Sequence, residues 1–478
     1  MTVTKKLPKD FAWGFATASY QIEGAVNEGG RGKTIWDTFS HTPGKVAKDD
    51  NGDVACDTYH RWNEDVQLLK NYGAKVYRFS IAWSRIIPLG GREDPINPEG
   101  IAWYNQFIDA LLANGITPFV TLFHWDLPQA LYDRYRGPLN TNEFAADFER
   151  YARVAFEAFG DRVRNWITFN EPEVFSTGGF ANGVHAPGRT SDRSKSPEGD
   201  TATEPWRAGH SLLVAHAHAV KAYRADFKAK QGGQIGITLN GDWAEPFDDT
   251  AENVAAAQRK LEFNIGRFAD PVYLSGDYPP SMRAQLGDRL PTFTKEESAL
   301  LKGSSDFYGM NHYTTNYVWN RNEPPTLDDQ LGNVLKGFIS KDGEELGPPA
   351  ESPWLRPCPW GFRKLLNWLW NRYQTPIYIT ENGCSVKGES DLGVEQAVHD
   401  TYRVNYFKGY LENLLLAVFD DGVQIRGYMA WSLLDNFEWA DGYTCRFGVT
   451  YVDYKTLERT PKESGKFIKK FFEENVEA

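Results

Sequence analysis

The chain has 478 residues, 41% of them hydrophobic and 24% charged, enough for one large core or for two to three ordinary domains. Its net charge of −12 disfavours the basic face that a nucleic-acid partner would require. The apolar stretch at 414–419 is far too short to span a bilayer, so no membrane partner is expected.

Cys56, Cys358, Cys384 and Cys445 have neither CxxC spacing nor the density of a disulfide framework, which points to idle or buried thiols. The first ten residues carry lysines but no apolar signal core, and no Asn-x-Ser/Thr sequon occurs. A cytoplasmic protein is the expectation.

In chain order, short apolar runs rich in β-branched and aromatic residues fall at 11–19, 75–83, 117–125, 164–172, 234–240, 306–314, 376–383 and 426–434. Most are nearly continuous in hydrophobicity, as parallel strands covered on both faces require. Helical patterns alternate with them at 58–72, 98–114, 143–160, 207–230, 361–373 and 394–421. This alternation of strand and helix predicts an α/β fold, a single-domain (β/α)8 TIM barrel over residues 1–478. An open doubly wound sheet would want a glycine-rich turn after its first strand, and 19–24 (SYQIEG) is not one. Two stretches without periodicity, 185–205 and 319–359, become long βα loops at the mouth of such a barrel.

Polar residues gather at the C-terminal ends of these strands: His124, Asn170, Glu171, Asn240, Asn311, Tyr313, Glu381, Asn382, Trp431, Glu438 and Trp439. A barrel brings all of them to one rim, where barrel active sites are built. Glu171 and Glu381 each follow an apolar strand, and the two strands stand three places apart in the ring. Facing carboxyls suit glycoside hydrolysis, in which one protonates the leaving oxygen and the other attacks or activates water at the anomeric carbon. A lone glutamate after a strand is more often a cap or an ion-pair partner. Two of them, each flanked by asparagine, favour chemistry.

No phosphate-cradling Gly-x-Gly and no Gly-x-Ser-x-Gly elbow is present. His216 and His218 lie two apart in a predicted helix and point to different sides, so no metal site and no cofactor is expected. His124 alone reads almost equally as a sugar ligand or as a satisfied core histidine.

The segments TFNEP (168–172) and ITENG (379–383) resemble the two catalytic signatures of glycoside hydrolase family 1, the β-glucosidase family. FAWGFATASYQIE (11–23) is similar to the family's N-terminal signature, and YRFSIAW (77–83), LFHWDL (122–127), YGMNHY (308–313), WSLLDNFEWADG (431–442) and RFGVTYVDY (446–454) follow in family order. The overall pattern is most similar to the intracellular fungal branch. The resemblance implies a retaining β-glucosidase with a small carbohydrate substrate, Glu171 as acid/base and Glu381 as nucleophile. It implies sugar binding by Gln21, His124, Asn170, Trp431, Glu438 and Trp439, with Trp354 stacking on the leaving group. Arg78 and Tyr313 match the residues that hold the nucleophile, and a cation and a hydroxyl donor there are both expected to favour the ionised form of Glu381. The charge of Glu381 is in turn expected to raise the pKa of Glu171.

Thioglucosidases of the family lack the acid glutamate, which is present here. Its 6-phospho-β-glycosidases replace the Glu438-Trp439 pair, whose charge is expected to repel a phosphate. Many members carry tryptophan directly after Asn-Glu-Pro, whereas this chain has Glu173, so the leaving-group preference stays open. A β-galactosidase, a β-fucosidase or a transglycosylating enzyme also fits the glycone residues. A catalytically dead sugar-binding barrel would be expected to lose one glutamate.

Overall fold

The computed structural model describes residues 5–477. Residues 1–4 and 478, which belong to the span expected to form one domain and in part to the stretch read for a leader, lie outside the described residues.

Eight parallel strands close into a barrel: β1 (Ala12–Ala16), β2 (Val76–Ser80), β3 (Thr117–Phe123), β4 (Asn165–Asn170), β5 (Gln234–Asn240), β6 (Tyr308–Asn311), β7 (Ile377–Glu381) and β8 (Ile425–Trp431). Each lies inside or within one residue of a predicted run. Closure comes from β1 pairing with β8, from Ala12 opposite Gly427 to Ala16 opposite Trp431. The strands are almost wholly buried, because side chains fill the interior and helices cover the outside.

The helices begin where the sequence supplies caps. Asn97 accepts from the Glu99 N–H ahead of Pro98–Ala113, and Asn140 from the Glu143 N–H ahead of Thr141–Phe159. The helix expected over 394–421 is divided into Val394–Ala397 and Thr401–Phe419. Asp400 lies at that break, where its carboxyl accepts from Arg403, from the Ser464 N–H and from the Ser464 hydroxyl. The long loop over 319–359 is not wholly irregular either. Val334–Gly337 pairs antiparallel with Thr315–Asn320, which pairs with Trp243–Pro246, so a small sheet stands beside the mouth.

Close packing at the rim requires glycine at 383. A Cβ there would lie 1.8 Å from the Trp431 carbonyl oxygen, so only glycine lets the end of β7 press against the end of β8. All four cysteines are free and buried. Among the described residues no helix is long and apolar enough to cross a membrane.

Candidate active site

A cavity of about 540 Å³ opens at the C-terminal rim of the barrel. Glu171, Glu381, His124, Tyr313, Trp354, Trp431, Glu438 and Trp439 all line it. Gln21, Asn170 and Arg78 are not among its lining residues; all three are buried and hydrogen-bonded to residues at the rim.

The two glutamates differ in how they are held. Arg78 Nη1 donates to Glu381 Oε1 at 2.6 Å, and the Tyr313 hydroxyl donates to Oε2 at 2.6 Å. Both carboxylate oxygens are thereby aimed and charge-assisted. Glu171 Oε1 accepts from Asn311 Nδ2 at 2.8 Å, and the same amide nitrogen donates to Asn170 Oδ1 at 3.1 Å. Burial raises the pKa of Glu171 well above the ordinary range, and the facing Glu381 raises it further. Burial also raises Glu381, against the pull of Arg78 and Tyr313. Both neighbours favour the ionised form of Glu381, as expected, and with them it is less strongly raised than Glu171 although burial raises both.

Asn170 is a junction. Its Oδ1 accepts from Arg78 Nη2 at 2.5 Å and from Asn311, which turns its Nδ2 toward His124 Nε2 at 3.0 Å. That makes Nε2 the acceptor and places the imidazole proton on Nδ1, which has no partner among the described residues. Burial, with Arg78 adding to it, lowers the His124 pKa well below its usual value, so the ring is neutral. Gln21 Nε2 donates to Asn436 Oδ1, the Phe437 carbonyl and Glu438 Oε2, while its own Oε1 is left without a partner among the described residues.

Glu438 shares the cavity with the two glutamates. Desolvation in the cavity raises its pKa well above the ordinary range, and Asp441, Glu381 and Glu171 add to the rise. A carboxyl pushed toward its neutral form repels a phosphate less than an ionised one would.

Three lining residues have left-handed backbones: Trp125 at φ 76°, Glu171 at φ 46° and Trp439 at φ 48°. Such conformations cost on the order of 1–3 kcal/mol each and persist where surrounding contacts impose them. Trp125 is pinned by its indole N–H on the Asn170 carbonyl at 3.0 Å. Glu171 caps the helix Pro172–Phe180, whose proline supplies a preset first turn.

Trp354 is 44% exposed, edge-on to Tyr313 and stacked on Phe447. Glu173 is turned into the wall, where it accepts from Asn240 Nδ2 at 2.9 Å and from the Thr177 hydroxyl at 3.1 Å. Asn240, placed at the rim from sequence, also lines the cavity, and Trp125, Val174, Val184, His185, Asp242, Ala440, Asp441 and Phe447, none of them singled out as a site residue, complete the lining. Only Trp125 had a signal, since it ends a predicted strand beside His124. His216 is buried between Thr168 and Ser304, and His218 sits near Glu149 on the helix surface.

A closed parallel barrel with two differently held carboxyls facing one rim cavity defines the glycoside-hydrolase class of site. The sequence profile of Glycosyl hydrolase family 1 matches residues 3–477. The chain belongs to that family and is a glycoside hydrolase. Beta-glucosidase 1B of Phanerodontia chrysosporium is 60% identical over 471 residues, covering 98% of this chain and 86% of the relative. A GH1 beta-glucosidase from the fungus Humicola insolens, solved in complex with glucose, superposes with a TM-score of 0.98 at 59% identity, covering 99% of this chain and 100% of that one. A mutant rice beta-glucosidase in a covalent complex with Glc has a TM-score of 0.94 at 47% identity, covering 97% and 98%.

Proposed function

We propose that the enzyme is a retaining β-glucosidase that removes terminal β-D-glucosyl residues from cellobiose, short cello-oligosaccharides or aryl and alkyl β-glucosides. The observation that carries this reading is the unequal grip on the two facing carboxyls. Glu381, oriented by Arg78 and Tyr313, attacks the anomeric carbon. The bond from that carbon to the leaving oxygen breaks as Glu171, held protonated by its surroundings, gives its proton to that oxygen. The glucosyl ester on Glu381 is then opened by water, whose proton returns to Glu171. Both residues are restored and the β-configuration is kept. Another acceptor sugar in place of water gives transglycosylation by the same step. The rice relative in covalent complex with Glc supports an ester of this kind.

Trp431 offers a face beneath the sugar ring, and His124 Nδ1 and Gln21 Oε1 offer a donor and an acceptor for hydroxyls. Trp354 supports the leaving group.

The test separates the glutamates. Glu381→Gly should lose nearly all hydrolysis, with azide or formate restoring turnover of an activated donor through one inversion. Glu171→Ala should still form the ester from dinitrophenyl glucoside, and azide should then give the β-glucosyl azide. Reversed azide products would exchange the roles, and near-normal activity in both variants would move the site elsewhere. An α-anomer as the first-formed sugar would overturn retention.

A further inference from the structure

A buried acid outside the proposed chemistry links two rim segments. Asp126 is 1% exposed, and its Oδ2 accepts from the Ser19 hydroxyl at 2.7 Å. The Ser19 N–H donates to Ser80 Oγ at 2.7 Å, and the Ser80 hydroxyl donates back to Ser19 Oγ at 3.0 Å. One short chain of hydrogen bonds therefore joins the tips of β1, β2 and β3.

The segments it joins matter to the site. Ser19 opens the single helical turn Ser19–Ile22, which carries Gln21. Asp126 directly follows His124 and the left-handed Trp125.

Fold stability does not account for an acid at this place. The nearby arginines are engaged elsewhere, Arg31 with Asp37 at 2.8 Å and Arg85 with Glu23 at 2.7 Å. Asp126 Oδ1 has no partner among the described residues. A buried carboxyl without a cation lowers stability relative to an apolar side chain of similar size. Burial raises its pKa to about 7, with Ser19 and its own N–H opposing the rise, Glu23 adding to it and Arg31 opposing it. A neutral side chain can hold the same bond.

We propose that Asp126 is a positioning residue which, through Ser19, keeps the Gln21 turn in register with His124 and Trp125 and so shapes the glycone half of the site. This rests on the reading of Gln21 and His124 as sugar ligands.

The experiment is a mutant cycle on the full chain, read as kcat/KM with nitrophenyl β-glucoside and as calorimetric affinity for a neutral glucose-configured lactam. Asp126→Ala should lower both by about 10–100-fold, the scale of a small misplacement of binding groups. Asp126→Asn, which keeps an acceptor for Ser19, should stay within about 3-fold of the parent. Ser19→Ala should fall the same way. The double variant Gln21→Ala/Asp126→Ala should resemble Gln21→Ala alone. Losses that multiply independently would overturn the proposal, as would an Asp126→Asn variant as poor as Asp126→Ala. If Asp126→Ala does not fold, the same cycle with Ser19→Ala decides. A parent chain that binds the lactam but cleaves no β-glucoside would sink the proposed function while the affinity cycle still judged Asp126.

Discussion

Arg78 Nη1 lies 2.6 Å from Glu381 Oε1 while its Nη2 reaches Asn170 Oδ1, so one buried guanidinium orients both the proposed nucleophile and the asparagine beside the proposed acid. A planar fork does this and a point charge cannot. Arg78→Lys should keep the charge but lose the Asn170 contact, lowering kcat by about 100-fold with little change in KM. Arg78→Met should also move the acid limb of the kcat/KM profile to higher pH, because removing the cation raises the Glu381 pKa. An unmoved limb would show that another group titrates there.

The activity should follow a bell on the acid side of neutrality. Glu381 must be ionised, so activity falls as pH drops through its pKa. Glu171 must be protonated, so activity falls as pH rises through its pKa, which is the more strongly raised of the two. The two limbs report the pair rather than either residue alone. Glu171→Gln should remove the upper limb for substrates with activated leaving groups, measured as kcat/KM across pH.

Trp354→Ala should act on the leaving-group side alone. The indole is 44% exposed and leans on Tyr313 and Phe447, so its loss should leave Tm almost unchanged. It should raise KM for cellobiose and aryl glucosides by about 5–10-fold, equivalent to about 1–1.4 kcal/mol of aromatic contact. An equal fall in kcat for every substrate would place Trp354 in the glycone half instead.

Acid stability should depend on a buried network away from the site. Lys462 Nζ contacts Glu389 at 2.6 Å and Asp435 at 2.8 Å, Arg403 also grips Glu389, and Arg446 meets Asp435 at 2.6 Å. Burial alone would raise Glu389, yet Arg403 and Lys462 bring it down to about 2. A depressed carboxyl contributes stability above its unfolded pKa and loses it as pH falls toward the folded value, here between about 4.3 and 2. Lys462→Met should cost about 1–3 kcal/mol at neutral pH, because Glu389 and Asp435 each lose one buried partner while Arg403 and Arg446 remain. Urea unfolding at pH 7 and pH 3 checks both, and a loss equal at the two pH values would remove Glu389 from the account.

What the residues determined by themselves was local and periodic. Eight runs of β-branched and aromatic residues became eight strands, because a strand buried on both faces writes its environment into consecutive positions. Glu171 and Glu381 were legible because each ends such a run, and a barrel sends strand ends to one rim. The tertiary structure alone decided the rest. Gln21 meets Glu438 across 417 positions of chain, and Asn311 stands between Asn170 and Glu171 from 140 or more positions away; no local pattern encodes either meeting. Asp242 and Phe447 line the cavity only because their loops fold over it, and Val174 because the helix Pro172–Phe180 lies against it. The direction of each neighbour's effect on Glu171 and Glu381 was legible from the motifs, but the part played by burial was not. Charged neighbours can be guessed from motifs, but desolvation is the sum of everything packed around a group, and that exists only once the chain has folded.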